Sequence, residues 1–437
     1  MCYTVRENPQ KGAIMRIKTK KITVAELSSL KKEKPFKPKK PNIFWRTLLK
    51  IFSSFDLAKT HFRLEKSGME RLGKKEPCLI LMNHTSFIDL KIAEYAFYPR
   101  PLNIVTTFDG FVGLKWLLRQ IGCFPTRKFT PERQVVKSMK YCLEELKTSV
   151  LMFPEASYSI DGTATTLPAS LGKGLKFLDV PVVTLISSGA YSRQPLFNNL
   201  RRRKVDVSAK MEYLLSPEDL KTLSTDEINE KVRNAFSFDA YKWQRDNEIR
   251  ITEPDRAEGL DRILYKCPCC QQEGKTVGKG VTLTCEQCGK EYLLTETGEM
   301  QAVDGKTEID HIPAWYAWER ECVKEELLSG KYLLDDEVDI YAVVNMKTLY
   351  ELGKGRLTHS AEGFTLYDDK GNILHEQKPL YSYSINADFF WYEIGDAVYV
   401  GNTEITYCCI PKNLRNVVAK TRLAAEELYK LKKAEQL

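Results

Sequence analysis

Five short apolar runs between residues 78 and 187 constrain the fold of this chain more than any other feature. They read CLILM, LNIVTTF, CFPTRKF, SVLMF and VPVVTLIS, with helical stretches between them. Short runs of this kind fit strands buried on both faces of a sheet. In the intervening PERQVVKSMKYCLEELKTS, Pro131 suits a first helical position, where its missing N–H costs nothing. Strands alternating with helices imply an α/β layered domain, a mixed sheet flanked by helices, over residues 42–247. The chain has 437 residues, 43% of them hydrophobic, so two or three globular domains can each bury a core.

The segment before this domain is basic. Thirteen lysines and arginines lie between residues 11 and 50, opposed only by Glu26 and Glu33, in a chain whose net charge is +8. The positive charge therefore belongs to an arm, residues 1–41, expected to be flexible. Such an arm suits an anionic membrane or nucleic acid, and equally a solvated tail. Next comes NIFWRTLLKIFSSFDLAK, an amphipathic helix. Phe44, Trp45, Leu48, Leu49, Ile51, Phe52 and Phe55 share one face, and Arg46, Lys50, Ser53 and Ser54 the other. The apolar face either packs on the following domain or lies in a membrane interface. No run approaches the roughly 20 apolar residues of a spanning helix, and the first thirty residues lack the apolar core of a secretory signal. The twelve cysteines form no repeating disulfide framework. A cytoplasmic location, peripheral to the membrane, is expected.

Residues 261–300 form a cysteine module. Cys267-x-x-Cys270 and Cys285-x-x-Cys288 stand fourteen residues apart, and two such turns facing each other make a tetrahedral four-sulfur site. A zinc ribbon is expected. Four protein ligands leave no open position, so the zinc would be structural. Cys269, inside the first pair, is a competing ligand. Residues 305–437 read as a β-rich domain of short strands ending in the helix NLRNVVAKTRLAAEELYKLKKAE. Antiparallel strands capped by one C-terminal helix resemble a pleckstrin-homology-like barrel.

The stretch NHTSFID, residues 83–89, carries the chemistry. As isolated residues, His84 fits a polar strand end, and Asp89 fits a capping box if a helix starts at Ser86. As a pair, a neutral imidazole can take a proton from a hydroxyl while a carboxylate holds its other ring nitrogen. Four intervening residues allow Asp89 to fold back to the ring. With no serine nucleophile beside it, such a dyad suits direct acyl transfer to a substrate hydroxyl.

NHTSFID is similar to the H-x-x-x-x-D motif of the glycerolipid (lysophospholipid, 1-acylglycerol-3-phosphate) acyltransferase family. Three further blocks resemble that family in order: GCFPTRK, FPEASYSIDG and VPVVTLI. The resemblance covers residues 45 to 245 and implies roles. His84 would be the general base and Asp89 its orienting partner. Arg127, Glu155, Ser157 and Tyr158 would bind substrate, Arg127 and Glu155 at the acceptor head group. The donor would be acyl-CoA or acyl-carrier protein. The third block departs from the pattern, with Ala156-Ser157-Tyr158 where the family has Gly-Thr-Arg. A tyrosine cannot supply the charge of an arginine fork to a phosphate, which gives weight to other lysophospholipids and to non-phosphate acceptors.

The reading is thus an O-acyltransferase acting on a lysophospholipid at a membrane surface. The contrasting one is a catalytically inactive protein that binds lipid or a partner through this fold, the ribbon or the C-terminal domain. Nucleic-acid binding through ribbon and arm is the weakest of the three.

Overall fold

The computed structural model describes residues 17–33 and 36–436. A first sheet has seven strands in the order Arg63–Ser67, Ser208–Leu215, Val182–Ser188, Leu79–Met82, Ser149–Met152, Leu102–Thr107 and Cys123–Thr126. The last five run parallel to one another. Ser208–Leu215 runs antiparallel to its inner neighbour and carries Arg63–Ser67 parallel to itself at the edge. The sheet is therefore mixed, as expected. Leu79–Met82 is buried at every position, which is why its sequence is continuously apolar rather than alternating. The helices Asp89–Phe97, Arg133–Glu144 and Leu171–Leu178 make crossovers between parallel strands.

The amphipathic helix forms over Ile43–Ala58, with its polar face inward. Arg46 and Glu94 are each 1% exposed and form a two-pronged ion pair, Nη2–Oε1 at 2.7 Å and Nε–Oε2 at 3.2 Å. Arg46 Nη1 also donates to the Arg100 carbonyl at 2.6 Å. Asp56 pairs with Lys91 and Arg193. The opposite face, with Phe52 61% and Phe55 67% exposed, is left bare.

A four-stranded antiparallel sheet follows, built from Thr276–Lys279, Thr282–Cys285, Glu291–Leu294 and Met300–Ala302. After the helix Ile312–Leu328 come seven antiparallel strands between Leu334 and Pro411, then the helix Val417–Ala434. Numbered along the chain, these strands lie in the order 4-3-2-1-7-6-5.

The regions are not beads on a string. Phe108 and Phe111 of the first domain share a core with Trp391, Tyr399 and Ile410 of the β-rich region. Phe197 and Tyr241 share another with Tyr292, Trp315 and Leu423. The described part of the expected flexible arm is folded as well. Thr19–Lys21 pairs in parallel with the Leu349–Ser360 strand. Val24–Ser29 is a helix with a Thr23–Glu26 capping box. Glu33 accepts from Lys115 at 2.7 Å and from the Met346 amide at 3.2 Å. Ile22 and Leu27 are buried and Phe36 packs edge-on to Phe111 at 5.5 Å; a count of lysines hides these apolar anchors. Residues 1–16, 34 and 35 of the expected arm lie outside the described residues.

Candidate active site

His84 lies just beyond the carboxyl end of the central strand, and Phe153 and Arg127 just beyond those of Ser149–Met152 and Cys123–Thr126. The crevice outside the carboxyl ends of parallel strands is where open α/β sheets bind ligands. Two buried side chains hold the turn. Asn83 Oδ1 accepts from the Ser187 amide at 2.8 Å, and its Nδ2 donates to the Ser187 carbonyl at 3.0 Å. Glu155 accepts from the His84 amide at 2.9 Å and from the Thr165 amide at 2.7 Å.

Asp89 begins the helix Asp89–Phe97 and is 1% exposed. Its Oδ2 accepts from the amides of Thr85 at 2.8 Å and Ser86 at 3.0 Å, and lies 3.0 Å from His84 Nδ1. The helix starts two residues later than a Ser86 cap would place it. The Ser86 amide is nevertheless held by Asp89 as a capping box would hold it, so the structural and chemical accounts of this carboxylate meet on one oxygen. An oxygen that already accepts two amides accepts the third bond too. Nδ1 is then the donor, and Nε2 keeps its lone pair.

The imidazole is sandwiched between aromatic rings. Phe153 stacks on it at 4.1 Å between centroids and Tyr158 at 3.8 Å. Burial lowers the pKa of His84, against the raising effect of Asp89, so the ring is held neutral. Burial pushes Glu155 up to about 7, against the hydrogen bonds it accepts from Thr165 and His84.

The ring lines a cleft of about 590 Å³, a size suited to a small-molecule or lipid ligand. Beyond His84 the walls turn apolar, with Val105, Val135, Met139 and Met152, and Phe87 stands exposed at the rim. A larger hollow of about 1060 Å³ reaches Thr85 but not His84. Its lining mixes charged groups such as Arg63, Glu65, Lys210 and Asp246 with apolar ones such as Ile186, Leu214, Phe238 and Trp243.

Residues 63–188, which hold the dyad and most of the cleft, match the model of the family described as Acyltransferase. This segment is an acyltransferase domain. The glycerolipid acyltransferase resemblance read from NHTSFID and its three companion blocks falls in the same part of the chain. Among solved structures, the crystal structure of the 1-acyl-sn-glycerophosphate (LPA) acyltransferase, PlsC, from Thermotoga maritima is similar over 44% of this chain and 76% of that one, with 16% identity and a TM-score of 0.36. No curated protein matches the chain.

The acyltransferase domain brings only some of the expected substrate-binding residues to the cleft. Arg127 and Tyr158 line it; Glu155 and Ser157 do not, being 0% and 1% exposed behind it. Glu155 instead accepts from the His84 amide at the turn. Arg127 is already engaged. Its guanidinium lies 3.5 Å from Glu132, donates to the Glu404 carbonyl at 3.2 Å and covers the Phe108 ring at 3.8 Å. The neighbouring Lys128, also in the lining, has no ion pair among the described residues. Its ammonium lies 5.7 Å from the centroid of the Tyr158 ring. Burial lowers its pKa, against the pull of Asp388 and Asp109. Sequence reasoning missed Asn83 and Phe153, although each adjoins a quoted motif residue. It underrated Lys128, whose place in the cleft lining depends on parts of the chain remote in sequence.

Ala156 stands where the family pattern has glycine, and its φ is +57°. The backbone keeps the left-handed conformation that glycine serves, so the alanine carries strain.

The four cysteines expected to bind metal converge. The sulfurs of Cys267, Cys270, Cys285 and Cys288 all lie within 4.8 Å of one another. Cys267 and Cys288 are 3.8 Å apart, and Cys270 and Cys285 3.7 Å. Cys269 is outside this group and exposed. The quartet can hold a metal ion.

Proposed function

We propose that this chain is an O-acyltransferase that moves a fatty acyl group from a thioester, acyl-CoA or acyl-carrier protein, to the hydroxyl of a lysophospholipid. The leading acceptor is 1-acyl-sn-glycerol-3-phosphate. The observation that carries this reading is the His84–Asp89 pair, with Nε2 left basic, at an apolar cleft of an acyltransferase domain. Nε2 removes the acceptor hydroxyl proton as the oxygen attacks the thioester carbonyl. Asp89 stabilises the imidazolium through Nδ1–H. The tetrahedral intermediate collapses, the C–S bond breaks, and the proton on Nε2 passes to the departing thiolate. Ester and free thiol leave. Lys128, in the cleft lining, is a cation placed to meet an acceptor phosphate. Among the described residues it has no ion pair, and beside it Arg127 donates from Nη2 to the Glu404 carbonyl while its Nε has no partner. The test is transfer of labelled acyl groups from both donors to a panel of lysolipids, with wild type beside His84→Ala. Loss of a general base should lower the rate by ~10²–10⁴. Equal activity in both proteins would reject the mechanism.

The bare face of the Ile43–Ala58 helix supports work at a membrane surface. Its aromatics continue onto the domain: Phe44 packs edge-on to Trp45, and Trp45 to Trp116, itself 62% exposed. Among the described residues no helix is long and apolar enough to cross a membrane, so the helix would lie in the interface. Zinc is the metal that best suits the cysteine quartet. Four thiolates at about 2.3 Å in a tetrahedron place neighbouring sulfurs about 3.8 Å apart, and the two pairs stand at 3.8 and 3.7 Å. The strand order 4-3-2-1-7-6-5 followed by a helix supports a pleckstrin-homology-like β-rich region.

A further inference from the structure

The segment that matches the acyltransferase family supplies only part of the cleft. Across from the sheet and the Arg133–Glu144 helix, the lining is completed by Leu380, Tyr381, Ser382, Tyr383 and Tyr429. All five belong to the β-rich region and its final helix, about two hundred residues further along the chain. We propose that this region is the outer wall of the active-site cleft and that it selects the acyl chain of the donor. This rests on the acyl-transfer reading of the cleft.

Three observations carry it. The first is the chemistry of the wall. The cleft has two cationic residues in its lining, Arg127 and Lys128, and both come from the acyltransferase domain. The wall contributes one aliphatic side chain, three phenol rings and a serine, with no ionic group. It cannot neutralise a phosphate, but it can cover hydrocarbon. It shares the cleft with Val105, Val135, Met139 and Met152, so an acyl chain entering past His84 would run between two apolar surfaces.

The second is direct contact across the divide. Tyr383 packs edge-on to Phe129 at 5.4 Å. Arg127 donates to the Glu404 carbonyl at 3.2 Å. The wall therefore meets the same loop that follows the Cys123–Thr126 strand and carries Lys128.

The third is rigidity. Just after the wall segment, Ser384 donates to Glu426 of the final helix at 2.8 Å. Burial would raise the pKa of Glu426, but Arg320 and Arg422 overcome it and hold the carboxyl at about 2. Arg320 reaches Glu426 at 2.7 Å and Arg422 at 3.0 Å. With Trp391 and Tyr399 in one core with Phe108 and Phe111, the wall is built into the domain rather than tethered to it. A fixed wall limits which chain fits, and the cost of misfit is steric.

The test uses full-length protein and binding of non-transferable thioether analogues of palmitoyl-CoA and octanoyl-CoA, read by calorimetry, beside turnover with the normal thioesters. Tyr429→Ala enlarges the cleft and Leu380→Trp shrinks it; both positions are partly exposed, and each variant is checked for an unchanged unfolding temperature. The ratio of palmitoyl to octanoyl affinity should rise at least ~5-fold in the first variant and fall at least ~5-fold in the second. Ratios within twofold of wild type in both, or no analogue binding to wild type, overturn the proposal. A shifted ratio in a protein that transfers no acyl group would sink the enzyme reading and leave the wall standing. Turnover with unshifted ratios would do the reverse.

Discussion

In the proposed mechanism His84 accepts a proton only while its ring is neutral, and burial helps it to stay so. Its folded pKa lies below the ordinary 6.5, so protonation, and loss of activity, should come at lower pH than for a free histidine. The acid limb of kcat/KM is expected below pH 6.5; a limb at or above that value would contradict the burial argument. Glu155 titrates nearby at about 7, and Glu155→Gln separates the two, since a limb that persists belongs to His84. Ala156 offers a stability test. Glycine would relieve about 1–2 kcal/mol of left-handed strain and cost about 0.4–1 kcal/mol in unfolded-chain entropy. Ala156→Gly should therefore gain roughly 0.5–1 kcal/mol, read by denaturant unfolding; a loss would mean that the strain is absent. At this scale the sequence paired His84 with Asp89 because five positions lie within reach of a loop-to-helix junction. It could not see that Arg127 would be engaged by Glu404, which arrives from 277 residues away.

The five apolar runs became the five parallel strands; the central ones are buried on both faces and continuously apolar, while Leu102–Thr107 and the edge strand Cys123–Thr126 are buried only over their first halves. The two strands outside the parallel five left little trace. Arg63–Ser67 reads RLEKS and has no buried residue, while Ser208–Leu215 alternates in burial as a partly exposed strand does. The Ile43–Ala58 helix was legible as amphipathic, but periodicity does not say which face turns inward. Here the buried Arg46–Glu94 pair decides it. Cutting such a pair by removing one partner costs about 3–5 kcal/mol, more than a surface ion pair can. The bare face gives a further prediction. Burying one phenylalanine in a lipid interface contributes about 1.5 kcal/mol or more, so Phe52→Glu with Phe55→Glu should weaken vesicle binding by at least ~100-fold. Flotation with anionic liposomes measures it, and unchanged binding would remove this helix from the membrane contact.

The molecule as a whole is held together by cores that cross its sequence regions. Leu283, Tyr292, Leu294 and Met300 of the cysteine module share one core with Phe197, Trp315 and Leu423. Stripping the metal should therefore lower the stability of the entire chain. A chelator, or Cys270→Ser, is expected to reduce the main unfolding temperature by at least ~5 °C in one transition. About one zinc per chain should be found before treatment; an unaltered transition in metal-free protein would make the module an ornament. What the sequence by itself determined is what side-chain chemistry and spacing carry locally: the α/β character, the dyad, the cysteine quartet and the β-rich end. Only the tertiary structure decided what depends on partners remote in the chain: the inward polar face of the helix, the engagement of Arg127, the folding of the described part of the basic arm and the second wall of the cleft. A residue's own neighbours fix its conformation, but its burial and its ion pairs are fixed by whatever the fold sets against it.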